Sequence, residues 1–400
     1  MTKATVRELI NLKGARVFLR ADLNVPQDDN GNITDQTRIT ASLNTLRYLL
    51  DKGARVIMAS HLGRPKGRDE KYTLKPVFER IQELLPDVKM FFANDVLGKD
   101  VKAQISRLKD GQMLLLENVR FYKEEEENNL EFAKKLSEYA DYYVNDAFGA
   151  AHRAHASTEG ITRYLPAVAG FLMETEVKIL GEAIRSPQRP LTVIIGGKKI
   201  ADKASVISGL LGVADNILIG GGMSYTFAKS QGGEIGNSIV NENLLDYAKE
   251  VMATSKSKGT NLVLPIDSVV ADKFGPDAHT NIVPTNKIPN GWEGFDIGPK
   301  TIEEFKKIIK KSKTVIWSGP MGVFEFDIFA NGTREVAKVI VESEAVSIIG
   351  GGDSASAVVK FGFADKVTHI STGGSASLEM IEGKKLPGIE AILGIEAKIK

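Results

Sequence analysis

The sequence predicts an α/β protein of two domains, each a parallel β-sheet flanked by helices, joined by an interdomain helix and hinge. Three observations carry this expectation. Short apolar runs alternate with amphipathic segments through most of the chain, the pattern that buries a parallel sheet between two helical layers. Its 400 residues exceed what a single hydrophobic core ordinarily supports. The alternation is also broken once, near residues 167–190, and resumes with a different loop chemistry.

In the first half, the strands are read at Arg16–Leu19, Ala54–Ala59, Met90–Phe92, Met113–Leu116 and Tyr142–Val144. The clearest helix spans Thr34–Lys52, where Ile39, Leu43, Leu46 and Leu50 recur at helical spacing. Thr34 or Asp35 can cap its start and Gly53 can stop it. The acidic run from Glu124 to Asn129 reads as a solvated loop, because like charges repel and prefer water. Ala167–Ser186 then reads as a helix bridging two domains and ended by Ser186-Pro187. The resulting division is 1–168, 169–187, 188–376 and 377–400.

The second half repeats one design four times: an apolar strand, a glycine cluster, then a helix start. It occurs at Leu191–Gly197, Ile217–Gly222, Val346–Gly352 and Val367–Gly374. Glycines let backbone approach a ligand, and a following helix directs free N–H groups and a positive dipole end towards it. Such edges bind phosphate, so the sequence predicts a Rossmann-like nucleotide domain. It contains no Gly-x-x-x-x-Gly-Lys-Ser/Thr loop and no Gly-x-Gly-x-x-Gly at the first strand, so the site must be assembled from several strand ends. Asp353 suits a magnesium–phosphate contact or an N-cap, and Lys198, Lys199 and Lys203 can neutralise phosphate charge.

The strand-end loops of the first half are rich in Arg and His instead. Arg20 followed by Asp22 could form a structural ion pair. Arg38, His61, Arg64, Arg120 and Arg153 also fall at or near element ends, and converging guanidinium groups make a forked cradle for carboxylate and phosphate. His61, His152 and His155 could in principle bind zinc, but an anion site suits so many arginines better.

Composition narrows the class. Lys and Arg number 52 against 51 Asp and Glu, a formal charge of +1, which argues against a nucleic-acid or anionic-membrane surface. With no cysteine, disulfide and thiolate chemistry are excluded. The first residues lack the apolar core of a signal peptide, and no apolar run nears the roughly 20 residues of a membrane span. A cytoplasmic location is expected.

Arg20-Ala21-Asp22-Leu23-Asn24-Val25-Pro26, His61–Pro65, Glu117–Phe121 and Asn145–Ser157 resemble the N-domain blocks of the phosphoglycerate kinase family. Gly196–Lys203, Gly220–Met223, Trp317–Glu325, Gly350–Ser354 and Ser371–Gly374 resemble its C-domain blocks. This resemblance implies reversible phosphoryl transfer from 1,3-bisphosphoglycerate to ADP, giving 3-phosphoglycerate and ATP in glycolysis and gluconeogenesis. It implies a triose site of Asp22, Asn24, Arg38, His61, Leu62, Gly63, Arg64, Arg120 and Arg153. It places Mg2+ with ADP or ATP at Lys203, Gly294 (base), Glu325 (ribose), Gly351, Gly352, Asp353 and Ser354, with Asp353 at the metal. Lys199 would meet the phosphoryl group in flight, residues 377–400 would return to the N-domain, and the protein would be a monomer. Lys198, Ser318, Ser375 and Glu293 stand where alanine, asparagine, a third glycine and methionine are usual. Ser375 would be strained if its backbone required positive φ.

Such a transfer needs no general base, since a carboxylate nucleophile is ionised well above its pKa of ~4. It needs alignment and charge neutralisation, expected from Lys199, Arg38 and magnesium, and closure about a hinge near Ala167–Arg189. A nicotinamide-dependent oxidoreductase would explain the glycines but lacks the fingerprint. An inactive scaffold would have lost the charged residues that are present here.

Overall fold

A computed structural model of the chain describes residues 3–394. Two compact units form. One takes the chain up to Lys178 and resumes at Lys385, and the other is Ile179–Lys384. The division falls inside the helix Phe171–Arg185.

The first unit is built on six parallel strands: β1 (Arg16–Ala21), β2 (Arg55–Ala59), β3 (Met90–Phe92), β4 (Met113–Leu115), β5 (Tyr142–Asp146) and β6 (Ala167–Ala169), in the order β3-β4-β2-β1-β5-β6. Side chains alternate across the sheet as the two-residue period demands. Val17, Leu19, Val56 and Met58 enter one core, while Phe18, Ile57 and Ala59 enter the other. Both faces are therefore closed by helices. The order reverses beside β1, so the C-terminal ends of β1 and β5 flank a switch point where ligands of open parallel sheets bind.

β1 and β5 run two residues beyond the sequence reading, to Ala21 and Asp146, carrying polar side chains to the end of the sheet. The expected first helix covers Thr37–Asp51 and buries Ile39, Leu46, Leu49 and Leu50. Asp35 accepts from Thr37 N–H at 2.7 Å, and Gly53 ends the helix at φ 78°. The region expected as one bridging helix divides in two. Ala167–Ala169 pairs with β5 because all three residues are small or β-branched and buried, and the helix begins only at Phe171.

The second unit carries another six-stranded parallel sheet: β7 (Leu191–Ile195), β8 (Asn216–Ile219), β9 (Asn261–Val263), β10 (Thr314–Ser318), β11 (Val346–Gly350) and β12 (His369–Ile370), ordered β9-β8-β7-β10-β11-β12. Ile194, Leu218, Val315, Trp317 and Ile349 share one core. A three-stranded antiparallel sheet of Asp267–Ala271, Thr280–Pro284 and Glu293–Ile297 stands beside it. The alternating pattern gave no sign of that addition. Within the first unit, Ala4 N–H donates to Leu393 O at 2.8 Å and Leu393 N–H to Ala167 O at 3.1 Å, so the first and last described segments of that unit lie together. Residues 377–384, expected to start the return, belong to the second unit, where Ser205 Oγ donates to Glu382 Oε1.

Asp146 anchors the start of Phe171–Arg185. Its Oδ1 accepts from Leu172 and Met173 N–H at 2.9 and 3.1 Å, and Gly170 is glycine because a Cβ there would lie 2.2 Å from that oxygen. Asp146→Ala should lower stability by about 1–2 kcal/mol, the usual cost of losing a helix cap. Asp146→Asn, which keeps the acceptor, should lose less, and equal losses in urea unfolding would show that the cap is not what matters.

Candidate active site

At the β1 end, Asp22 is buried and pairs with Arg38, whose Nη1 lies 3.3 Å from Oδ2 and donates to Asn24 O at 3.0 Å. The ion pair that adjacency would allow between Arg20 and Asp22 does not form. Arg20 turns into the interior, where it is 1 % exposed, and donates to Ser157 Oγ at 2.8 Å, to Ala21 O and to His61 Nδ1 at 3.1 Å. Strand order explains this: β1 lies between β2 and β5, so a residue near its C-terminal end meets the loops after both.

The loop after β2 is held from two sides. Gly63 N–H donates to Asn24 Oδ1 and Gly63 O accepts from Arg120 Nη1, both at 2.8 Å. Gly63 has φ +62°, and a Cβ would meet the Tyr72 ring at 2.3 Å, so no other residue fits. Leu62 is a core residue whose carbonyl accepts from Asn118 Nδ2, and its side chain faces no site. Arg64 is exposed and makes no hydrogen bond to described residues. After β5, Arg153 Nε donates to His152 Nε2 at 3.0 Å.

The acidic run expected in solvent is not uniformly so. Glu125 is fully buried in the short helix Lys123–Glu126, accepts from Ser157 N–H at 2.9 Å and Oγ at 2.6 Å, and Glu126 lies 3.3 Å from Arg120 Nε. A buried carboxylate requires such partners, and the arginines just beyond supply the opposite charge. Glu125 and Ser157 are thus parts of the site that local sequence did not reveal.

Burial and the surrounding arginines hold these imidazoles neutral. Desolvation first, then Arg20, Arg120 and Arg38, keeps His61 well below its ordinary value, and burial with Arg120, Arg20 and Arg153 brings His155 to about 3. Burial also lowers Arg120 to about 10. Positive charge here belongs to guanidinium groups.

In the second unit, not every glycine faces a ligand. A Cβ on Gly196 would lie 2.1 Å from Pro320 O and one on Gly319 2.2 Å from Gly196 O, so these two let the β7 and β10 loops pack backbone to backbone. Around Gly197, Gly352 and Gly374, by contrast, a Cβ would meet nothing within 4 Å. Those positions are open. Gly351, at φ 91°, starts the helix Gly352–Lys360.

Beside them, Lys203 Nζ donates to Ser318 Oγ at 2.8 Å, and burial lowers the lysine while Asp353 opposes that shift. Serine at 318 therefore orients Lys203. Ser354 is buried and its Oγ accepts from Gly319 N–H at 2.6 Å, tying the helix start to the β10 loop. Asp353 and Lys199 are exposed. Gly294 lies on another strand, donating to Ser238 Oγ at 2.9 Å with no room for a Cβ beside Tyr225, and Glu325 is exposed. No direct bond joins either of them to Lys203 or Asp353. Two unusual residues answer each other: burial raises the Glu293 carboxyl and Lys198 opposes the rise. Ser375 is unstrained, because the positive φ, +54°, falls on Gly374.

Among the described residues no cluster of three His, Cys, Asp or Glu side chains could hold a metal ion. Asp353, one exposed carboxylate at an open helix start, fits a magnesium ion that takes its other ligands from nucleotide phosphates and water.

His155 is neutral when folded and titrates near 6.5 when unfolded, so the unfolded chain binds one more proton between those values. Unfolding free energy should fall as pH drops from about 6.5 towards 3, by up to about 1.4 kcal/mol per pH unit for that proton. His155→Gln should flatten the slope by one proton in urea titrations across this window, and an unchanged slope would refute the assignment.

A family model described as phosphoglycerate kinase matches residues 6–384. The chain is 55% identical over 397 residues to a cytosolic phosphoglycerate kinase of Arabidopsis thaliana, covering 98% of this chain and 99% of that one. It is 54% identical over 398 residues to a phosphoglycerate kinase of Nostoc sp., with the same coverage. Among solved structures, the phosphoglycerate kinase of Coxiella burnetii superposes with a TM-score of 0.87 at 38% identity, covering 97% of this chain and 98% of that one. That of Pyrococcus horikoshii gives 0.84 at 35%, covering 98% of each. Two parallel sheets, an arginine cradle on one and open glycine loops on the other thus occur in a chain that belongs to the phosphoglycerate kinase family.

Proposed function

We propose that the first unit binds the triose, 3-phosphoglycerate or 1,3-bisphosphoglycerate, through Asp22, Asn24, Arg38, His61, Gly63, Arg64, Arg120 and Arg153. Leu62 contributes by fixing the loop. The second unit takes ADP or ATP with magnesium at Lys203, Gly294, Glu325, Gly351, Gly352, Asp353 and Ser354. The observation that carries this is the contrast between the two sheet ends: fixed guanidinium groups at one, open glycines beside Lys203 and Asp353 at the other. Forked donors suit a carboxylate and a phosphate, whereas backbone amides at a helix start suit a polyphosphate.

In the ATP-consuming direction, a carboxylate oxygen of 3-phosphoglycerate attacks the γ-phosphorus and the bond to the β-phosphate oxygen breaks, leaving ADP. The nucleophile is already an anion, so no side chain need remove a proton. This suits a cradle whose histidines are neutral and whose carboxylates, Asp22 and Glu125, are engaged. Arg38 orients the triose carboxylate, and Lys199 meets the transferring group, whose loose transition state spreads charge over three oxygens. Bound with the nucleotide, magnesium offsets charge on its phosphate oxygens. The ligands occupy different units, so transfer requires hinge closure near residues 167–189, which also keeps water from the acyl phosphate. The protein acts as a cytosolic monomer on small molecules, without nucleic acid or membrane.

Lys199→Ala should reduce kcat by roughly 10²–10³, as loss of one transition-state donor does, with little change in nucleotide affinity; near-normal turnover in a coupled assay would remove it from the mechanism. Arg38→Ala should also depress turnover while leaving ATP binding intact by calorimetry, and unchanged activity would count against its role. Turnover should vanish with chelator and return with magnesium, and Asp353→Asn should raise the KM for the nucleotide but not for 3-phosphoglycerate. Equal effects on both would place Asp353 elsewhere.

A further inference from the structure

We propose that a buried relay, Glu125 to Ser157 to Arg20 to His61, fixes His61 as a neutral imidazole with its proton on Nε2, and that this N–H is donated to the anionic triose. The donor role rests on the triose placement proposed above. The relay itself does not.

The argument is one of donors and acceptors. An arginine side chain stays protonated and has only N–H groups to offer. Arg20 Nη2 lies 3.1 Å from His61 Nδ1, so Nδ1 must be the acceptor and carry no hydrogen. The single proton of the ring then resides on Nε2, to which no described residue is hydrogen-bonded. Protonating Nδ1 would set two donors against each other inside the protein, where His61 is only 5 % exposed.

Arg20 is held in that orientation from behind. Its Nε donates to Ser157 Oγ at 2.8 Å, and that hydroxyl gives its own proton to Glu125 Oε1 at 2.6 Å, while Ser157 N–H donates to Oε2 at 2.9 Å. Every group finds a partner of the opposite kind, and Glu125, Ser157 and Arg20 lie within 1 % of full burial. The charged and titratable groups facing His61 are Arg20 at the end of β1, Arg38 on Thr37–Asp51, Arg120 after β4 and His155 after β5, and all of them oppose a second proton on the ring. Glu125 reaches His61 only through Arg20. A neutral donor gives the cradle direction without a charge that comes and goes with pH.

The test uses the full-length protein with 15N-labelled histidine, His61 being assigned by its loss in His61→Gln. Long-range 1H–15N correlations from about pH 5 to 8, the range in which histidine ordinarily titrates, should show an unprotonated Nδ1 and a protonated Nε2 throughout. A ring that titrates, or one protonated on Nδ1, overturns the proposal. Saturating 3-phosphoglycerate should displace the Nε2–H signal together with the Gly63 amide. Movement of Gly63 alone overturns the donor role and leaves the triose site standing, whereas movement of neither overturns that site and the donor role with it. Ser157→Ala should let His61 titrate and raise the KM for 3-phosphoglycerate roughly tenfold, the cost of one buried hydrogen bond, with the KM for ATP unchanged. Ser157→Thr, which restores the hydroxyl, should recover both readouts. A Ser157→Ala protein with an unaltered ring and an unaltered KM overturns the relay.

Discussion

The first unit is organised by a guanidinium that can neither lose its proton nor reach water. Burying Arg20 is costly unless its donors are met, and meeting them draws in groups from three segments: a hydroxyl after β5, an imidazole after β2 and the carbonyl of its neighbour at the end of β1. The countercharge, Glu125, comes from a fourth segment. Once these loops are fixed to one another, Arg38, Arg120 and Arg153 have little freedom in where they converge. Side chains held in this way are ordered by the fold itself, and a ligand bound among them would be spared the entropy of ordering them.

The second unit meets the opposite demand, keeping backbone accessible in place of side chains rigid. Gly196 and Gly319 are used up in packing one loop on another, and that contact holds Gly351 and Gly352 at the start of their helix through Ser354. Close approach in one layer thus makes openness possible in the next. Lys203, half buried against Ser318, adds charge without the reach of a free lysine.

Much of this could be read in the chain. Ile39, Leu46 and Leu50 announced their helix, and the strands appeared where apolar runs fell, because both are local consequences of period and burial. Positions of the arginines and histidines at strand ends were likewise visible. What escaped depends on residues far apart in sequence. Glu125 looked like one more surface acid because its partners, Ser157 and Arg20, lie 32 and 105 positions away. Three residues, Ala167–Ala169, are too few to show a period. Arg20 and Asp22 suggested a pair by proximity alone, and only strand order sends them to different partners. Glycine clusters advertised a nucleotide face but could not say which glycines pack and which stay open.

The joined ends of the first unit bear on how the protein is made. Ala4 and Leu393 share a hydrogen bond, and Gly388 N–H donates to Ala151 O. A nascent chain therefore cannot complete this unit until the segment that begins at Lys385 has left the ribosome, whereas the second unit, Ile179–Lys384, is contiguous and has all its residues earlier. Order of synthesis and order of completion are reversed. The same proximity means that placing the segment from Lys385 to Leu393 ahead of Ala4, with the chain opened between Lys178 and Ile179, would make each unit one unbroken stretch, with every strand of both sheets kept whole.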